Sequence, residues 1–256
     1  MKSIYEEIVS AGKNGRKAAL CTVVSTKGSA PRKAGAKMIV FENSEIKGSI
    51  GGGDLEKKTV ENALCVIKTN KPGVFKHDLL HQHGMCCGGV VEIFIEPIMN
   101  KKRLYIFGAG HTGQALAKFA VNFDFDVFLI DDRKQYIDMF DLENVNKMNL
   151  EHSSALQALP FDENTFIVIL TYDHQIDRDI LAFCIKKPFA YLGMIGSQRK
   201  INVTEKMFKD GQIGSIEELE KVHMPIGIDI NAETPEEIAV SIISELIKVK
   251  NEVHHG

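Results

Sequence analysis

"RLYIFGAGHTGQALAKFA", residues 103–120, starts as an apolar run, passes three glycines at the spacing G-x-G-x-x-G, and continues with helical periodicity. That spacing is informative only where a strand precedes it and a helix follows, and here both patterns are present. Gly108 allows the tight turn, Gly110 lets a pyrophosphate approach the backbone, and Gly113 lets helix and strand pack closely. Free amides at the helix start, where His111 sits, face a phosphate. The next apolar run, "DVFLI" at 126–130, is followed by Asp131, placed where an acidic side chain accepts hydrogen bonds from ribose hydroxyls. Arg133 keeps a 2′-phosphate in play, so NAD(P) is the ligand expected for this half.

Outward from this stretch the alternation continues. Strand-like runs at 103–107, 126–130, about 145–148, 166–170 and 189–192 recur between helical segments. Such alternation implies right-handed βαβ crossovers and a Rossmann-like parallel sheet covered on both faces. Before residue 100 the pattern is different. Short apolar runs at 18–24, 36–41 and 90–95 read as strands, and 3–12 and about 54–68 as helices, which describes a small α+β domain. "EPIMNKK" at 96–102 suits a linker. The expected division is an N-terminal α+β domain at 1–99 and a Rossmann-like domain at 100–256, an α/β chain as a whole.

Composition narrows the function classes. With 256 residues, 44% hydrophobic and 25% charged, the chain can bury a sizeable core. No run approaches the ~18 apolar residues of a membrane span. A net charge of -3 with scattered lysines and arginines gives no footprint for nucleic acid. Five cysteines, an odd number, and an N-terminus that reads as an amphipathic helix point away from a disulfide framework and toward the cytoplasm.

Two loops in the first half carry unusual residues. "GSIGGGDLEKK", 48–58, places Ser49, Gly51, Gly52 and Gly53 ahead of a helix, where hydroxyl and amides could cradle an anion. The competing reading is a strand-to-helix turn capped by Asp54. Upstream, Arg32 lies on a loop between strands, as a phosphate or carboxylate clamp or as a solvated charge. The stretch "HQHGMCCGG", 81–89, concentrates two histidines, Cys86, Cys87, Gly88 and Gly89. Zinc at His81 and His83 would need a second ligand pair, and no obvious one follows in the sequence. Cys21, Cys65 and Cys184 fall in apolar patterns and read as core thiols.

The second half has further candidates. "TYDHQIDRD", 171–179, puts Asp173 and His174 at the carboxyl edge of the sheet, Asp173 as helix cap and His174 as site or scaffold. "GMIGSQRK", 193–200, offers Ser197, Arg199 and Lys200 as an anion-facing edge or a solvated helix start. "NAETPEE", 231–237, reads as a helix start with Thr234 as N-cap and Pro235 at the first position.

Taken in order, "GSAPRKAGAKMIV", "GSIGGGDLE", "CCGGVVEIFIEP", "YIFGAGHTGQALA", "IDDR", "TYDHQIDRDIL", "YLGMIGSQRK" and "MPIGIDINAETPEEIAVSIISELI" span 28–247. Together they resemble the XdhC/CoxI family of xanthine dehydrogenase accessory (molybdenum cofactor insertion) proteins. The resemblance implies a cytoplasmic maturation factor, more an accessory or chaperone protein than a catalyst. Such a factor holds molybdenum cofactor (molybdopterin), keeps it available for sulfuration, and inserts it into a xanthine dehydrogenase-type molybdenum hydroxylase. The implied partners are that hydroxylase and a sulfur-donating desulfurase, with no nucleic acid and no membrane; a homodimer is left open. Cys87 matches the family's cysteine before two glycines and is a candidate molybdenum ligand; Cys86 matches only members with a doubled cysteine. Thiolates are soft donors suited to that metal. Asp54 departs from the family, many of whose members carry cysteine in the glycine loop. The alternative function is a stand-alone NAD(P)-dependent oxidoreductase, with Cys87 or His174 as acid or nucleophile.

Overall fold

The computed structural model describes residues 3–13, 16–79, 89–98, 101–210 and 214–252. The chain divides into two compact units, Met1–Asn100 and Lys101–Gly256. In the first, helix α1 (Ile4–Lys13) leads into strands β1 (Ala18–Lys27), β2 (Lys37–Phe41) and β3 (Ile46–Gly48). Helix α2 (Gly53–Thr69) follows, then β4 (Gly73–Asp78) and β5 (Val90–Ile98). The strands form one antiparallel sheet in the order β3-β2-β1-β5-β4.

Strict alternation explains how this sheet is covered. Ala19, Cys21, Val23, Met38 and Val40 join the core that holds Leu55, Ala63 and Val66 of α2. Their neighbours Ala18, Ile39 and Phe41 point to the other side, with Ile4, Ile8 and Ala11 of α1. One helix per face therefore satisfies the period-2 pattern of the central strands. Cys65 is an exception to the core expectation: it is exposed, because the buried stripe of α2 runs through Leu55, Thr59, Ala63 and Val66 and leaves position 65 on the outer face.

The second unit begins with β6 (Lys102–Phe107), α3 (His111–Ala120), β7 (Phe125–Asp131), α4 (Lys134–Asp138) and β8 (Val145–Asn149). It continues with α5 (His152–Ala158), β9 (Thr165–Ile169), α6 (His174–Cys184), β10 (Tyr191–Met194) and α7 (Gln198–Lys209). A short α8 (Ile216–Leu219), β11 (Val222–His223) and α9 (Pro235–Glu252) complete it. All pairings are parallel, in the order β11-β10-β9-β6-β7-β8. This is a doubly wound sheet whose strand order reverses between β6 and β9, the position where such folds open a crevice at the carboxyl edge.

Each strand again divides its side chains between two cores. Leu104 and Ile106 of β6 pack with Leu116 of α3 and Ile242 and Leu246 of α9. Tyr105 and Phe107 pack with Leu156 of α5 and Ile180 and Leu181 of α6. Helix α9 starts as its sequence suggests: the Thr234 hydroxyl accepts from the Glu237 amide, and the Glu237 carboxylate accepts from the Thr234 amide. Among the described residues no helix is long and apolar enough to cross a membrane.

Candidate functional site

The three fingerprint glycines occupy three different environments. Gly108 has φ +118°, and a Cβ there would lie 2.3 Å from the Leu170 carbonyl oxygen. A Cβ on Gly113 would lie 1.9 Å from the Gly108 oxygen. Both therefore serve the close approach of strand, turn and helix. Gly110 has nothing within 4 Å of its Cβ position, so it serves no packing and leaves open space over the start of α3. A dinucleotide backbone fits this arrangement of a bare turn before exposed helix amides. His111, the first residue of α3, is exposed beside it.

Asp131 ends β7 with its side chain almost fully buried and four donors on its two oxygens. The Ala109 amide donates at 2.7 Å and the Arg133 amide at 3.0 Å. The Arg133 guanidinium adds a fork, Nε at 2.9 Å and Nη2 at 2.8 Å. Burial opposes ionisation of Asp131, but the Arg133 fork and the two amides together hold its carboxyl below the ordinary value. The guanidinium lies between two rings, 4.1 Å from the centre of Tyr136 and 4.2 Å from that of Tyr172. Stacking on both faces and the fork to Asp131 fix its position. Asp132, one residue on, is exposed and accepts from the Tyr172 hydroxyl at 3.1 Å. The Asn149 amide pins the carbonyls of Asp131 and Asp132 at 3.0 and 2.9 Å.

Beyond these residues an open cleft runs along the carboxyl edge of the sheet, lined by Gly108, Asp131, Asp132, Leu150, His152 and Tyr172 among others. Helix α6 borders it. The Asp173 carboxylate accepts from the Gln175 and Ile176 amides, so Asp173 is the cap its sequence suggests. His174 is largely exposed, 3.9 Å from the Asp177 carboxylate. Asp177 is committed elsewhere: it takes the Thr171 hydroxyl at 2.7 Å, the Thr171 amide at 3.0 Å and the Lys200 ammonium at 2.5 Å. Lys200 also donates to the Ile195 carbonyl at 2.6 Å. Lys200 is therefore turned inward, while Ser197 and Arg199 are exposed at the start of α7.

In the first unit, the glycine loop enters α2 with positive φ at Gly51, Gly52 and Gly53. The N-cap of α2 is Gly52, with Asp54 exposed in the first turn, so Asp54 is not the cap: the three glycines carry the turn themselves. One oxygen of Glu56 accepts from the Ser49 hydroxyl at 2.7 Å and from the amides of Ile50, Gly51 and Gly52 at 3.0, 3.3 and 2.8 Å. The donors of the glycine loop converge, and the chain's own Glu56 carboxylate takes them. Burial raises the Glu56 pKa, the four donors lower it, and the lowering prevails.

Two other loops meet this one at the same end of the sheet. A Cβ on Gly51 would lie 2.4 Å from the Pro31 ring, and one on Gly89 would lie 2.3 Å from the Ser29 carbonyl oxygen. The Leu79 amide donates to the Gly89 carbonyl at 2.9 Å, so these two residues are held together here. Arg32 is exposed on the same β1–β2 loop. Cys86, Cys87 and Gly88, with His81 and His83, lie outside the described residues. Among the described residues no group of three or more His, Cys, Asp or Glu is placed to hold a metal ion.

The sequence marks the glycines, Asp131 and Asp173, and it marks Lys200 as an anion-facing or solvated charge where the structure turns it inward onto Asp177; it does not single out Asp132, Tyr172 or Glu56. The signal available for Glu56 was an acidic residue in the first turn after a glycine loop. No comparable signal marks Tyr172 or the pairing of Lys200 with Asp177, because the partners are distant in sequence.

A doubly wound sheet with a glycine fingerprint, following a small antiparallel domain in the chain, defines the class to which the known relatives also belong. A family described as the XdhC Rossmann domain matches residues 104–246, and one described as the XdhC and CoxI family matches residues 11–78. The chain belongs to the XdhC/CoxI family. It is 31% identical to the Escherichia coli protein YqeB over 93% of this chain and 44% of that one. It is 30% identical to a Bacillus subtilis protein described as a probable xanthine dehydrogenase subunit, over 63% of this chain and 47% of that one. The chain thus spans less than half the length of these two curated relatives. PaoD of Escherichia coli, a molybdenum cofactor insertion chaperone, is 22% identical over 97% of this chain and 88% of its own length. A solved structure described as a xanthine dehydrogenase from Bacillus halodurans shares the fold at TM-score 0.53 and 20% identity, covering 98% of this chain and 96% of that one.

Proposed function

We propose that this chain is a cytoplasmic maturation factor that holds molybdenum cofactor as cargo and inserts it into a molybdenum hydroxylase of the xanthine dehydrogenase type. The observation that carries the reading is the meeting of three family-bearing loops in the first unit: Pro31 against Gly51, and Ser29 against Gly89. The Leu79 amide and the Gly89 carbonyl are hydrogen-bonded at that meeting point, and Cys86 and Cys87 belong to the sequence between them. Family membership and the likeness to PaoD support the same reading.

In this proposal Cys87, with Cys86 beside it, supplies a soft donor toward molybdenum, and Gly88 and Gly89 let the backbone approach. Arg32 faces the anionic part of the cargo, while the Ser49–Gly52 donors stay with Glu56 and set the shape of the loop beside it. A desulfurase delivers the sulfur that replaces an oxo ligand before insertion. The Rossmann cleft of the second unit takes a nucleotide, NAD(P) being the class that its bare Gly110 turn accommodates.

The test is activation of the partner. In a host that makes the cofactor, deleting this chain should leave the hydroxylase folded but inactive and poor in sulfurated cofactor, with activity restored on re-expression. Full hydroxylase activity in the deletion strain would overturn the proposal.

A further inference from the structure

The acidic residue that ends the second strand of a nucleotide-binding Rossmann fold ordinarily accepts the ribose hydroxyls. In this chain that residue, Asp131, has no acceptor position to spare. A carboxylate offers about four lone-pair sites, and two amides and the Arg133 fork occupy four. Asp132 is the opposite case. It lines the cleft, it is exposed, and one of its oxygens accepts only the Tyr172 hydroxyl. The other oxygen has no partner among the described residues. Its backbone is fixed by Asn149, so the carboxylate is held at the cleft mouth before any ligand arrives.

We infer that Asp132, not Asp131, reads the ribose in this cleft, and that the ligand is a ribonucleotide with a free vicinal diol. The inference rests on the reading of the cleft as a nucleotide site. Leu150, Tyr172 and Ile176 supply apolar wall for the base. The phosphates then lie over Gly110, where the turn leaves open space. Charge selects among nucleotides. Arg133 is compensated by Asp131, and Asp132 leaves the rim negative. A 2′-phosphate would be placed against that carboxylate, a like-charge contact, whereas a 2′-hydroxyl donates to it. The cleft is thus built for the NAD type of ligand over the NADP type.

The experiment is calorimetric titration of the full chain with NADH, NADPH, ADP and 2′-deoxy-ADP, repeated on Asp132→Asn. NADH is expected to bind at least about tenfold tighter than NADPH, and ADP tighter than 2′-deoxy-ADP. Asp132→Asn should weaken NADH and ADP by about tenfold or more, the scale of a lost hydrogen bond to a charged group. It should leave 2′-deoxy-ADP nearly unchanged and the thermal midpoint unmoved, since the residue is exposed. Equal or tighter binding of NADPH, or an Asp132→Asn variant that keeps full NADH affinity, overturns the assignment of Asp132 while the cleft stands. Absence of binding by all four probes overturns the nucleotide reading of the cleft and this inference with it.

Discussion

A single Cβ separates the roles of the glycines in "GAGHTG". At Gly113 it would meet backbone at 1.9 Å and at Gly108 at 2.3 Å, and backbone cannot move aside as a flexible side chain can. Gly113→Ala should therefore lower the thermal midpoint strongly, because helix α3 must leave the strand it packs on. At Gly110 a side chain enters open space with ordinary φ, so Gly110→Val should melt close to the wild type. It should nonetheless abolish nucleotide binding, since the branched side chain fills the room a pyrophosphate needs. A thermal melt paired with NADH titration checks both variants. A Gly110→Val protein that melts as early as Gly113→Ala would show that the turn is a packing feature only. Asp131 illustrates the other side of residue-scale reading: its place at the strand end was visible in the sequence, while the four donors that fill it were not.

Between elements, the buried Asp177–Lys200 pair ties the start of α6 to the start of α7 across the carboxyl edge of the sheet. Both side chains are almost fully buried, so removing one leaves a charge without its counterion. Lys200→Met should cost about 3–5 kcal/mol in a urea melt. Pairing it with Asp177→Asn should recover part of that loss; a double variant whose loss equals the sum of the two single losses would mean that the pair is not coupled. No periodicity announces such a pair, because its members lie in different elements and each alone looks like a solvated charge. The same limit shaped the strand reading. Central strands β1, β2 and β6 alternate toward two cores and are legible from the sequence. The edge strands β3 and β4 are not: Ile46–Gly48 is exposed throughout, and Gly73–Asp78 includes Lys76, His77 and Asp78. An edge strand with one weakly covered face leaves little hydrophobic pattern to read.

At the scale of the molecule, each unit has its own core and its own candidate site. The second unit is a doubly wound sheet whose cleft is ordered by Asp131, Arg133 and Tyr172. The first brings Pro31 against Gly51 and Ser29 against Gly89 at one end of an antiparallel sheet. The central claim concerns that first site, and its most direct measurement is the cargo itself. The protein should be purified from a host that makes molybdenum cofactor, as wild type and as Cys87→Ser, then assayed for molybdenum by elemental analysis and for released pterin by mass spectrometry, beside a thermal melt. The account predicts near-equimolar molybdenum and pterin on the wild type, and loss of both from a Cys87→Ser protein that melts at the wild-type temperature. A well-folded wild type carrying neither molybdenum nor pterin would contradict it.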